Sequence, residues 1–139
     1  MRTEGRRRYG FVYQTAAGRA GKSDELSTDS RLLCHCLARA GNTGHAMFDP
    51  GELADKLARP NKLTGEIRPL DRKTVREAIG RLVRAGLAAE GSTAQCVVLP
   101  WDFWERRFGG TPHCKVHGTR AAFRHGDWDK PPPPDLPGL

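Results

Sequence analysis

The segment from Asp71 to Gly86 constrains the fold more than any other. It reads Asp-Arg-Lys-Thr-Val-Arg-Glu-Ala-Ile-Gly-Arg-Leu-Val-Arg-Ala-Gly. Val75, Ala78, Ile79 and Leu82 recur at the three- and four-residue steps of one helix face, with Val83 at its border. Lys73, Arg76, Glu77, Gly80, Arg81 and Arg84 take the other faces. Asp71 suits the N-cap, because its carboxylate can accept from an amide that the first turn leaves without a partner. Gly86 closes the pattern as a residue that turns left-handed at no steric cost. Such a helix has one stripe to bury and a basic remainder to expose.

A second helix start precedes it. Asp49 caps and Pro50 opens a run in which Leu53, Ala54 and Leu57 share a face, and Pro60 stops it. Downstream, Leu87-Ala88-Ala89-Glu90 and Gln95-Cys96-Val97-Val98-Leu99 flank a Gly91-Ser92-Thr93-Ala94 turn, which reads as a hairpin. His45-Ala46-Met47-Phe48 can add a third strand to it. Upstream, Ser27-Thr28-Asp29-Ser30 offers N-caps for a helix over about residues 31–40, with Leu33, Cys36, Leu37 and Ala40 as its apolar face and Gly41 as its end. The expected fold class is mainly α with a small β-hairpin, an α+β arrangement, and the expected domain spans residues 27–100.

These residues, in this order, resemble the winged helix-turn-helix domain of bacterial regulators of the GntR and MarR type. The match is to the GntR-like pattern S-R-x-T-V-R-E-A-L-x-x-L-x-x-x-G-L. It is carried by Asp71 through Ile79, then Leu82, Gly86 and Leu87, with Asp71 standing for Ser as the cap. The resemblance implies a second helix lying in the major groove of DNA. It places Arg72 and Arg76 at base and backbone contacts and Thr74 at a phosphate. The loop over residues 60–70 is longer than a tight turn. The hairpin tip carries no Arg or Lys, so Lys62 and Arg68 on the loop become the candidates to compensate.

The side-chain chemistry points the same way. A guanidinium matches the guanine edge bidentately, which makes Arg72 and Arg76 candidates for base reading. Lys73, Thr74, Arg81 and Arg84 suit phosphates, whose contacts position a protein and make its binding salt-dependent. Arg6, Arg7 and Arg8 form a basic arm that either follows phosphates or stays a solvated tail. The formal net charge of +7 over 139 residues suits a polyanionic partner, although an Arg-rich coding bias accounts for part of it.

The flanks are less constrained. Tyr9, Phe11 and Tyr13 alternate as in a short strand, and residues 16–22 read as a Gly-rich loop within an arm spanning residues 1–26. Residues 101–118 form an aromatic extension, in which Trp101, Trp104 and Phe108 share one face if Asp102 caps a short helix. That face either completes the core or joins two chains in a homodimer. Residues 119–139 contain four consecutive prolines and read as an extended tail.

The expected function is that of a small sequence-specific double-stranded DNA-binding protein, a transcriptional regulator of phage, plasmid or mobile-element type. Two alternatives stand beside it. One is a replication or excision accessory protein bound to an origin or attachment site. The other is an adaptor that uses the aromatic segment or the Pro-rich tail to hold a protein. No apolar run is long enough for a transmembrane helix, and no apolar stretch follows the N-terminal charges as in a signal peptide. A cytoplasmic location with reduced thiols is the expectation.

Metal and catalytic chemistry receive little support from spacing. Cys34, Cys36, Cys114 and His117 are ligands of the right kind for a closed zinc site. However, residues two apart on a helix point about 200° apart, so Cys34 and Cys36 cannot both face one ion. Cys36 fits better in the core, and Cys96 stands in a strand with no ligand neighbour in the sequence. No metal or other cofactor is therefore expected. Gly21-Lys22-Ser23 lacks the first glycine of a phosphate-cradling loop, and no paired carboxylates accompany His113, His117 and His125, so no enzyme is expected.

Overall fold

The computed structural model describes residues 10–100 together with Asp102, Phe103, Trp104, Cys114, Val116 and His117. Its elements are α1 (Gln14–Gly21), α2 (Thr28–Arg39), β1 (His45–Met47), α3 (Glu52–Lys56), α4 (Arg72–Arg84) and β2 (Cys96–Val98). Four helices and one two-stranded antiparallel sheet make this an α+β fold. No helix among the described residues is long and apolar enough to cross a membrane.

α4 follows its sequence closely. The Asp71 carboxylate accepts from the Lys73 amide at 3.1 Å, and Val75, Ala78, Ile79 and Leu82 are buried. Gly86 adopts φ +78°. Its amide donates to Val83 O and the Leu87 amide to Leu82 O, at 3.1 and 2.9 Å, which is the paired closure of a Schellman C-terminus. Leu82 is buried in the core, and Leu87 is half-buried against it.

α2 is the central element, touching α1, α4 and β1. The Ser27 hydroxyl caps it by accepting from the Ser30 amide at 3.2 Å. Because α2 is covered on several sides, its buried set is wider than the expected stripe. Leu32 and Cys36 are fully enclosed, Arg31 and His35 are buried, and Leu33 and Leu37 line the edge.

Two expectations upstream fail. Residues 10–13 form no strand, and residues 14–21, most of them expected in a loop, form α1. The reason is tertiary. A Cβ placed on Gly18 would sit 3.6 Å from Ala38, and one on Gly21 would collide with the His35 ring at 2.7–2.9 Å. Gly21 thus lets α1 lie against α2, whereas Gly18 would accept a Cβ at ordinary contact distance, and the Gln14 side-chain amide donates to Leu37 O and Ala40 O at 3.0 and 2.9 Å.

Arg31 ties this layer to the next. It is 3% exposed, and its guanidinium donates to Gly21 O at 2.8 Å, Lys56 O at 3.0 Å and Leu57 O at 3.3 Å. One buried side chain thereby closes the carbonyl ends of both α1 and α3, where the helix dipoles favour a cation.

α3 starts later than Asp49-Pro50 implied. Gly51 is its N-cap, at φ +79°, and the helix has five residues. The Glu52 carboxylate reaches back to the Asp49 amide at 2.9 Å and pairs with Arg39. Leu53 and Leu57 are buried in the core, and the Leu70 amide donates to Ala54 O at 3.0 Å, which anchors the far end of the long loop.

The expected hairpin is also revised. β2 pairs with β1, in the register His45–Val98, Ala46–Val97 and Met47–Cys96. Residues 87–90 form no strand and contribute one ladder-like bond, Ala89 N–H to Val98 O at 2.8 Å. Side chains alternate across a ribbon. Ala46 and Val97 face the helical core, and His45, Cys96 and Val98 lie on the opposite face.

Candidate nucleic-acid interface and a Cys/His cluster

α4 presents its basic residues to solvent. Arg72, Lys73, Thr74, Arg76, Arg81 and Arg84 are all exposed. At about 100° per residue, Arg72, Arg76, Gly80 and Arg84 form one four-step row along the helix. Gly80 interrupts that row, and the Arg84 guanidinium folds back over it, 3.3 Å from where a Cβ would stand. Among the described residues, Arg72, Arg76 and Arg84 have no ion-pair partner. The cap bond of Asp71 and the Schellman closure at Gly86 fix both ends of the helix that carries them.

The other candidates are differently placed. Arg81 spans to α2, with bidentate bonds to the Asp29 carboxylate at 2.7 and 3.0 Å. That pair raises the guanidinium pKa, chiefly through the side-chain hydrogen bond, and commits Arg81 to interhelical packing. Lys73 lies 4.0 Å from Glu77, one helical turn on, and Arg68 lies 3.1 Å from Glu66. Lys62 and Arg68 are exposed on the loop, in which an isolated bridge between Pro60 and Ile67 makes a compact turn. The Asn61 side chain accepts from the Leu63 and Thr64 amides at 2.8 and 3.2 Å. The long loop is therefore an exposed, internally hydrogen-bonded turn that leads into α4. Arg6, Arg7 and Arg8 lie outside the described residues.

The aromatic segment is described only at Asp102, Phe103 and Trp104, whereas Trp101 and Phe108 lie outside. Asp102 does not open a helix within the described residues. Instead the Phe103 and Trp104 amides both return to Pro100 O. Trp104 packs on the core and its indole N–H donates to Gly41 O at 3.1 Å, whereas Phe103 is partly exposed. The Pro-rich tail over residues 119–139 is outside the described residues.

The thiols and imidazoles fall into two groups. Cys34 is half-buried and Cys36 sits in the core, where burial pushes its thiol up to about 12. Neither lies with Cys114 and His117, so the four-ligand set considered from sequence is not assembled. What is assembled is another set. His45 from β1, Cys96 from β2, and Cys114 and His117 place one nitrogen or sulfur each within 4.8 Å of every other. His45 Nδ1 is 3.3 Å from Cys96 Sγ, and His117 Nδ1 is 3.4 Å from Cys114 Sγ. The rings meet edge-on, with centroids 5.5 Å apart. Burial, then the neighbouring Cys114 thiol, push the Cys96 thiol far up.

Cys96 thus does have ligand neighbours. Sequence reasoning missed them because His45 and Cys96 are 51 residues apart and meet only through the strand ladder. The available signal was the alternation of the two short runs. It puts His45 and Cys96 on one face once the strands pair.

No family model, no curated protein and no solved structure matches this chain.

Proposed function

We propose that the protein is a sequence-specific double-stranded DNA-binding protein of winged helix-turn-helix type, with α4 as the element that enters the major groove. One observation carries the reading. A helix capped at both ends exposes the row Arg72, Arg76 and Arg84, and none of the three has an ion-pair partner among the described residues. Basic side chains left unpaired are available for phosphate and base edges, whereas those already matched to carboxylates are less so.

The element order supports it as well. α2, β1, α3, α4 and β2, with β2 returning to pair with β1, follow the helix, strand, helix, helix, strand succession of that domain type. In this reading Arg72 and Arg76 read bases, Arg84, Lys73 and Thr74 hold phosphates, and the loop bearing Lys62 and Arg68 adds a second charged contact. Arg81 serves chiefly to dock α4 on α2 through Asp29. Regulation of transcription is the role such a protein would serve.

The test is selection of bound duplexes from a random pool, run beside the Arg72→Ala/Arg76→Ala double variant. Enrichment of one motif by the parent, lost in the variant, is the expected result. Arg72→Ala alone should cost about 1–3 kcal/mol and relax preference at one position, and Arg84→Ala should weaken all sequences alike and flatten the salt dependence. Absence of enrichment, with binding insensitive to salt, would replace this reading by that of a protein-binding adaptor.

A further inference from the structure

We infer that His45, Cys96, Cys114 and His117 form a closed structural zinc site that fastens Cys114 and His117 to the β1–β2 ribbon. The inference is independent of DNA binding. Two thiols and two imidazoles are a set that suits Zn2+, with thiolate supplying charge and imidazole a neutral lone pair.

The spacing fits. Bonds of about 2.3 Å to sulfur and about 2.0–2.1 Å to nitrogen, arranged tetrahedrally, put neighbouring donor atoms about 3.3–3.8 Å apart. Two of the four sulfur–nitrogen pairs lie at 3.3 and 3.4 Å, and all four donors lie within 4.8 Å of one another. Small rotations of the side chains therefore bring the set around one ion.

The surroundings prepare the ligands. His117 Nε2 lies 2.7 Å from Gly91 O. A carbonyl can only accept, so Nε2 holds the ring proton and Nδ1 turns its lone pair toward the sulfurs. A backbone carbonyl that fixes the tautomer of a ligating histidine is a regular outer partner of zinc sites. The His117 amide N–H donates to Cys114 Sγ at 3.4 Å and so holds the sulfur in place beside the imidazole.

Gly91 is itself held in the turn after α4. Its φ is +88°, and the Ser92 hydroxyl bridges Ala89 O and the Val98 amide at 2.7 and 3.0 Å. His45, Cys96 and Cys114 are buried beside Ala89 and Val98. Four protein ligands in a buried setting leave no position for substrate, so the site is structural and not catalytic.

The experiment uses the full chain, purified under reducing conditions without chelator, with zinc measured by elemental analysis and cobalt then exchanged into the site. One zinc per chain is expected. The cobalt protein should show tetrahedral ligand-field bands in the visible and a thiolate charge-transfer band in the near ultraviolet. Cys114→Ser and His117→Ala should each lower zinc affinity beyond the roughly 10–100-fold that loss of an outer partner costs.

Cys34→Ser should leave the metal content unchanged. His117 is only partly buried, and neither it nor Cys114 belongs to the helical core, so retained helical circular dichroism in those two variants separates loss of metal from loss of fold. Less than half an equivalent after refilling reduced protein with zinc would overturn the site. So would full retention in the Cys114→Ser/His117→Ala double variant, or a Cys96–Cys114 disulfide in protein that takes up no zinc after reduction.

Discussion

Arg31→Met removes a charge while keeping most of the side-chain volume, and the structure sets the scale of its effect. The guanidinium makes three bonds to carbonyls at the ends of two helices, at 2.8, 3.0 and 3.3 Å. A hydrogen bond to a charged group contributes about 1.5–3 kcal/mol, and a buried acceptor left without a partner costs about 1–3 kcal/mol. These terms overlap, and the longest bond is weak. Treating the two shorter bonds as dominant gives a net loss of about 3–5 kcal/mol, comparable to breaking a buried charged pair.

For a domain of this size, a loss of 3 kcal/mol lowers Tm by roughly 12–24 °C. Arg31→Lys keeps the charge but cannot span Gly21 O and Lys56 O as a planar fork does, so it should recover less than half of the loss. Equilibrium urea unfolding, followed by circular dichroism, measures both variants, and an unchanged m-value licenses the comparison. A cost below about 1 kcal/mol for Arg31→Met would refute the claim that one side chain joins the ends of α1 and α3.

Two further predictions concern the frame around the site. Gly86→Ala forces a Cβ onto a residue at φ +78°, and because nothing lies within 4 Å of that Cβ, the cost is purely backbone strain of about 1–2 kcal/mol, readable as a fall in urea midpoint. Glu52 is held below the ordinary carboxylate value of 4.5, chiefly by its hydrogen bond to Arg39, so its folded pKa lies below its unfolded one. Its contribution is fully present above pH 4.5 and is lost as pH falls through the folded value; Glu52→Gln should therefore flatten the acid limb of the stability curve, and an unchanged limb would show that the pair does not matter.

Where the sequence was legible, the controlling forces were local. α4 could be drawn from Asp71 to Gly86 because its cap, period and terminator all lie within the segment. The start of α2 was legible only as one of four caps over residues 27–30, and the helix begins about three residues before the expected Arg31. α1 was not legible, because Gly18 and Gly21 read as loop residues and only the His35 ring explains why glycine is needed at position 21.

The short α3 escaped for the opposite reason. Asp49-Pro50 is a good start signal, but the Glu52 pairing with Arg39 and the left-handed Gly51 move the start onward. The exposed basic row on α4 was expected residue by residue, except that Arg81 turned out to be tied to Asp29. Of the Cys/His cluster, Cys114 and His117 could be found from their own spacing. His45 and Cys96 could not, because the 45–48 run was expected to join the hairpin but nothing local set the register that puts the two side chains on one face.

That last pairing has a consequence during synthesis. β1 leaves the ribosome 51 residues before Cys96 of its partner strand. At about 5–20 residues per second, it waits roughly 3–10 s with its edge open. Throughout that interval His45 is part of a nascent chain that has helices but no sheet. The ribbon thus closes only after all four helices have been made, and any factor that shields an exposed strand edge on a nascent chain has those seconds in which to act.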